Sequence, residues 1–100
     1  NLGKLLKGYK RSVRKALYKE YEYPRSARRA GIQGRVVIEL TVGAAGQVLG
    51  VRVAKSSGHD VLDKAAMRSA MSIQRVPPPP KDLRWERRAF RVPFKYTLET

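Results

Sequence analysis

Between Gly34 and Val42 the side chains alternate with a period of two. Val36, Ile38, Leu40 and Val42 share one face, and Arg35, Val37, Glu39 and Thr41 share the other. This period is that of a strand with one buried face, and it assigns every residue in the segment to a side. Val37 leaves the second face only partly polar. A glycine-bounded turn from Gly43 to Gln47 leads into a second apolar run, Val48 to Ala54, which predicts an antiparallel hairpin. In the returning strand Val48, Val51 and Val53 are out of step, and the offset places a bulge near Gly50.

The rest of the chain supplies two helices and a third strand. Leu2, Leu5, Leu6, Tyr9, Val13, Ala16 and Leu17 recur at three- and four-residue steps, with Lys4, Lys7, Arg11, Arg14 and Lys15 largely on the other faces. This amphipathic helix ends near Lys19 to Glu22, because Pro24 disfavours a helical Tyr23. Arg25 to Ala30 reads as one or two helical turns closed by Gly31. Ser56-Ser57-Gly58 breaks the second strand, and Asp60 is placed to cap a helix with Asp63 in its first turn. Leu62, Ala65, Ala66, Ser69, Ala70 and Ile73 form the packing face of that helix, and its alanines allow it to lie close to a sheet. Pro77 to Pro80 forbid further helix and favour a stiff extended connection. The last strand is read as Ala89 to Leu98, with Phe90, Val92, Phe94, Tyr96 and Leu98 on one face. The order helix, strand, strand, helix, strand is that of an α+β fold.

The chain of 100 residues is one small domain, and no apolar run reaches the ~18 residues of a membrane span. It begins at Asn1 and reads as a domain excised from a longer parent. No cysteine is present, which excludes disulfides, thiol catalysis and thiolate metal sites. The net charge is +14, and eleven of the 22 Lys and Arg residues lie between Lys4 and Arg35, opposed only by Glu20 and Glu22. A field this positive attracts nucleic acid, anionic lipid or an acidic protein surface without distinguishing among them. The basic helix has three readings: a solvated face, a dock for nucleic acid or lipid, or a dock for an acidic protein.

His59, the only histidine, stands near Ser56, Ser57, Asp60 and Asp63. A nucleophile, base and orienter must converge from a rigid scaffold. These residues crowd one loop and one helix start instead, where capping accounts for them. One histidine with two carboxylates at a helix start lacks a metal ligand set. Gly43 to Gly46 leads into a strand and not a helix, so it is not a phosphate loop. No catalytic residue, metal or cofactor is expected. In the last strand Pro93 cannot donate to a ladder, so that strand is an edge with position 93 facing outward, or is bulged. An edge presents unpaired N–H and C=O groups to an extended peptide, and Arg91, Lys95 and Pro93 also suit an edge shielded against aggregation.

Taken in order, several segments resemble the C-terminal domain of the TonB family, energy transducers of Gram-negative bacteria. They are Tyr23-Pro24, Gly31-Ile32-Gln33-Gly34-Arg35-Val36, the glycine turn before Val48, Ser56-Ser57-Gly58-His59, Leu62-Asp63-Lys64-Ala65-Ala66, the proline run, and Val92-Pro93-Phe94-Lys95-Tyr96-Thr97-Leu98. The resemblance covers Tyr23 to Leu98, and the basic helix before it is similar to a segment common in a subgroup of these proteins. It divides the chain into a basic helix at residues 1–22 and the family-like domain at 23–100. Two departures stand out: Ser72-Ile73-Gln74-Arg75-Val76 replaces an aromatic-rich stretch, and Lys81 to Arg88 is longer and more charged than the family pattern.

The resemblance implies a two-layer sandwich, two helices on one face of a three-stranded antiparallel sheet, and no enzymatic activity. It implies a periplasmic domain of a single-pass inner-membrane parent. That parent engages the inner-membrane motor complex through its N-terminal part and serves outer-membrane transporters for siderophores, haem or cobalamin. A short transporter segment, the TonB box, is expected to add beside the last strand along Arg91, Val92, Pro93, Phe94, Lys95 and Tyr96. Tyr21, Glu22, Tyr23 and Pro24 would lie near that peptide, and Arg25, Arg28 and Arg29 would meet the transporter's periplasmic rim. Self-pairing of the edge into a homodimer is a further expectation, and nucleic acid is not an expected partner. A periplasmic linker similar to the C-terminal domain of TolA, and a basic nucleic-acid-binding module, are the alternatives.

Overall fold

The computed structural model describes residues 1–98. Helix α1 spans Leu2–Tyr18, a short α2 Arg25–Arg29, strand β1 Gly34–Gly43, β2 Val48–Lys55, α3 Asp60–Met71 and β3 Arg87–Tyr96. The strands form one antiparallel sheet in the order β2-β1-β3, so the alternating strand that opens the hairpin is its centre. Val36, Ile38, Leu40 and Val42 are fully buried on one face, as the period-two pattern requires. Each such burial stabilises by on the order of 1.5–3 kcal/mol.

Helices α1 and α3 cover that face. Tyr9, Val13 and Leu17 of α1 and Leu62, Ala65, Ala66 and Ala70 of α3 share one core with Phe90, Val92, Phe94 and Tyr96 of β3. The result is the expected two-layer α+β sandwich. Helix α3 lies over β1 and β2, where its alanines permit close approach, and α1 lies over β3. Tyr9 packs against Trp85 and Phe90 at 5.5 and 5.6 Å between ring centres, and its hydroxyl donates to the Pro77 carbonyl at 2.8 Å. The N-terminal helix therefore contributes to the same core as the strands.

The bulge near Gly50 is present: Thr41 faces Gly50 but Val42 faces Val48, so Leu49 is the extra residue. A second irregularity leaves Ala54 unmatched between Val53 and Lys55. Both lie on β2, a second edge of the sheet, where bulges turn backbone groups away from foreign strands.

Two boundaries differ from the sequence reading. Strand β3 begins at Arg87, because β1 runs on to Gly43 and pairs with it there, and it ends at Tyr96. Leu98 lies beyond the strand, and its N–H donates to the Gln33 side chain at 2.8 Å. Asp60 does not cap α3: the cap position is His59, with no side-chain cap bond, and Asp60 is the first helical residue. The carboxylate of Asp63 reaches back to the preceding loop instead. It accepts from the Ser57 N–H at 2.9 Å, from the Ser57 hydroxyl at 2.8 Å and from the Ser56 hydroxyl. His59 enters this cluster through its backbone, which bonds the Ser57 hydroxyl, so no triad is assembled.

The Gly43 to Gln47 turn is clasped to the segment after α3. Val76 N–H donates to Gly46 O at 2.9 Å and Val48 N–H to Gln74 O at 3.0 Å. Gly46 adopts φ +86°, the left-handed conformation that a side chain disfavours, and the Val76 carbonyl stands where its Cβ would be. Among the described residues no helix is long and apolar enough to cross a membrane, and no group of three or more His, Cys, Asp or Glu is placed to hold a metal ion.

Candidate functional site

Strand β3 is an edge because β1 has only two sides and β2 occupies the other. The direction of its free backbone groups follows from Pro93, which pairs with Val37 yet has no N–H to give. Its carbonyl accepts a hydrogen bond from the Tyr18 hydroxyl at 2.6 Å, outside the sheet, and the carbonyl of Lys95 accepts from the Tyr21 hydroxyl at 2.7 Å. In an antiparallel pair the N–H and C=O of one residue point to the same side, and the side alternates along the strand. Arg91, Pro93 and Lys95 therefore face away from β1, and Phe90, Val92, Phe94 and Tyr96 carry the ladder. The proline sits where its missing donor costs the sheet nothing.

Beside this edge lies an open groove of about 700 Å³, lined by Arg14, Tyr18, Tyr21, Pro93 and Lys95. A smaller hollow of about 300 Å³ continues it along Ala89, Phe90, Arg91 and Val92 against Lys10 and Arg14. One wall is the strand edge and the other is the cationic side of α1. On the opposite, open face of the sheet, Glu39 bridges Arg52 at 2.7 Å and Arg91 at 3.5 Å. The Arg52 hydrogen bond is the main reason that the Glu39 carboxyl titrates below its ordinary range.

The aromatic residues after α1 hold the groove together. Glu20 and Tyr21 donate their N–H groups to Leu17 and Tyr18 carbonyls at 3.1 Å, a tight turn that folds Tyr21 back over β3. Tyr21 stacks on Tyr96 at 5.0 Å, and Tyr18 meets Phe94 edge-on at 5.7 Å. Tyr23 packs edge-on against Tyr96 at 5.3 Å and donates to the Ile32 carbonyl. The Arg28 guanidinium lies 4.8 Å above the Tyr23 ring, a cation–π contact. Burial, then the neighbouring Tyr23, raises the pKa of Tyr21 against the opposing pull of Arg28, so its hydroxyl remains a donor at neutral pH. Burial likewise raises the pKa of Tyr96, whose hydroxyl has no hydrogen-bond partner among the described residues.

Of the residues singled out in the sequence, the structure brings Arg91 to Tyr96, Tyr21 and Tyr23 to one place. Arg28 joins them through Tyr23, and Pro24 begins α2 by accepting from the Arg28 N–H at 3.0 Å. Glu22, Arg25 and Arg29 are exposed and make no ion pair with the edge among the described residues. Tyr18, Arg14 and Lys10 also line this edge, and nothing in the sequence ties them to β3. Tyr18 reads in sequence as one of several aromatics interleaved with the basic residues, which says nothing about which strand lies alongside.

The family model described as Gram-negative bacterial TonB protein C-terminal matches residues 19–98. The chain belongs to the TonB C-terminal family. Protein TonB of Helicobacter pylori (strain ATCC 700392 / 26695) is 30% identical over 87 residues, covering 87% of this chain and 29% of that protein. The chain thus spans less than a third of the length of that curated relative. Solved structures are similar as well. The NMR solution structure of the Helicobacter pylori TonB C-terminal domain, residues 179–285 of that protein, superposes with a TM-score of 0.78 at 28% identity, covering 93% of this chain and 83% of that one. A shorter form of the same TonB domain, residues 194–285 of that protein, gives 0.66 at 30% identity over 88% and 91%.

Proposed function

We propose that this TonB-family domain is the partner-binding end of a periplasmic energy transducer, and that it captures the TonB box of outer-membrane transporters by strand addition to β3. The observation that carries this reading is the outward backbone of Arg91, Pro93 and Lys95 beside an open groove about 700 Å³ in size. An edge strand holds an extended peptide through its main chain, largely independently of side chains, which suits one transducer that serves several transporters. Hydrogen bonds pulled along the strand axis load together in shear, so a modest interface can transmit force. The parent protein would be anchored in the inner membrane and coupled there to the motor complex. The transported cargo would be a siderophore, haem or cobalamin.

Tyr21 and Tyr23 brace the strand next to the peptide, and Arg25, Arg28 and Arg29 would face the transporter rim. A second copy's β3 is the competing occupant of the edge, so peptide capture and homodimer formation exclude one another. The test is a titration of the isotope-labelled domain with a synthetic TonB-box peptide, followed by amide chemical shifts. The largest changes are expected at Arg91 and Lys95, with little change along β2. Perturbations confined to β2 and α3 would overturn the assignment. Duplex DNA should bind only weakly and lose that binding as salt rises, in keeping with a diffuse basic field.

A further inference from the structure

We infer that Tyr18 and Tyr21 form a two-hydroxyl latch on the β3 edge, occupying the outward carbonyls of Pro93 and Lys95 until an incoming peptide takes them over. This inference rests on the proposed pairing at β3 and concerns how that site is opened. Between Arg91 and Lys95 the outward groups are two N–H donors, at Arg91 and Lys95, and three carbonyls, at Arg91, Pro93 and Lys95. Two of those three carbonyls already accept tyrosine hydroxyls, at 2.6 and 2.7 Å. An added strand would place its amide nitrogens about 2.9 Å from the same oxygens, in the space the hydroxyls fill. Peptide capture at this stretch is therefore an exchange of one donor for another at two positions.

The latch is built to be exchangeable. Tyr18 and Tyr21 are 42% and 37% exposed, so a displaced hydroxyl can turn to water. A phenol oxygen moves only with its ring, so each ring must swing aside as its hydroxyl yields; both rings lie on the outside of Phe94 and Tyr96, and their departure does not unpack the core beneath. The exchange also selects the partner. Only a segment offering backbone N–H groups two residues apart can replace both hydroxyls, and a proline at either position fails. The same rule disfavours self-pairing, since a second copy centred on this stretch presents Pro93 where a donor is required. In that register Pro93 and the two tyrosines work against a second copy and favour a proline-free run of amide donors.

The test compares the wild type with Tyr18→Phe, Tyr21→Phe and the double variant, using a synthetic TonB-box peptide as the probe and calorimetry as the readout. Removing each hydroxyl frees one carbonyl and should raise affinity roughly 5-fold, with the double variant gaining roughly 25-fold. Tyr9→Phe serves as the control, because its hydroxyl bonds Pro77 away from the edge and its loss should leave affinity unchanged. The phenylalanines keep the ring contacts, and thermal unfolding of each variant verifies the fold. Equal affinity of the wild type and a folded double variant would overturn the latch and leave edge capture standing. Weaker binding by the double variant would show that the hydroxyls contact the peptide, and would also overturn it. A peptide that binds neither protein would overturn the latch together with the pairing at β3.

Discussion

Replacing Lys95 by proline is expected to weaken peptide capture roughly 5- to 150-fold in a domain that still folds. The Lys95 carbonyl accepts from Tyr21 outside the sheet, so its N–H points outward too, and the ladder to β1 runs through Phe94 and Tyr96. Proline at 95 removes an outward donor and no ladder bond. Pro93, two residues earlier, already occupies an equivalent position in the same strand. The residue preceding the new proline, Phe94, is extended, which is the conformation such a position demands. The loss of stability should be about 1 kcal/mol or less, a fall of about 4–8 °C in Tm for a domain of this size.

Binding suffers more. Pro93 cannot donate, so in the variant only Arg91 is left to donate along the stretch. The peptide carbonyl opposite position 95 would face a ring carbon, and a polar group left unpaired in this way costs about 1–3 kcal/mol, or roughly 5- to 150-fold in affinity. Calorimetric titration with a TonB-box peptide and a thermal melt decide the matter together. A folded variant with unchanged affinity would show that the peptide does not pair with β3. A variant that unfolds would show that the N–H of residue 95 belongs to the ladder. Phe94→Pro is the contrasting control: it removes a ladder donor and a fully buried ring, and should not fold.

Three further outcomes are expected. Gly46→Ala should destabilise the domain by about 3–5 kcal/mol in urea melts, because strain, overlap with the Val76 carbonyl and loss of the two clasp bonds combine. Gly31→Ala, at φ +68° but with open space around it, should lose only about 1 kcal/mol, and equal losses at the two sites would refute the clasp. Tyr96→Phe removes a buried hydroxyl that has no partner among the described residues, so stability should be unchanged or rise by about 1 kcal/mol; a clear loss would reveal a bond to that oxygen. Burial raises the pKa of Asp63, but the bonds from Ser56 and Ser57 outweigh it and hold the carboxyl below its ordinary value of 3.8. A carboxyl whose pKa is depressed by folding stabilises the native state above the unfolded value, and that contribution is lost as pH falls through the folded one. Asp63→Asn should therefore flatten the decline of the urea midpoint below about pH 4, with Glu39 supplying what decline remains, and an unaltered acid profile would refute the role of Asp63.

Much of the fold was legible because its signals are local. Val36, Ile38, Leu40 and Val42 declare a buried strand face by alternation, and Gly31 closes a helix at a positive φ that its neighbours disfavour. The bulge beside Gly50 followed from valines that fall out of step within a few residues. Where the structure departs from the local pattern, two local options were close in energy. Asp60 and Asp63 are both acidic groups at a helix start, and only the position of Ser56 and Ser57 decided which one bonds the loop. Strand β3 ends at Tyr96, earlier than its alternation suggests, because Leu98 continues the pattern after pairing with β1 has ceased.

By its own pattern the chain determined a basic α+β domain with three strands, and Pro93 marked one of them as an edge or a bulged strand, since a residue without an N–H is confined to such places. What faces that edge was decided only by tertiary packing. The hydroxyls of Tyr18 and Tyr21 meet carbonyls more than seventy residues away along the chain, and Arg14 joins the same groove from a helix whose charge, read alone, suited any anionic partner. Periodicity fixes which face of an element is apolar, a property of neighbours along the chain. Which element lies beside which depends on how those faces close over one core, and here that closure made the basic helix one wall of a groove along the β3 edge.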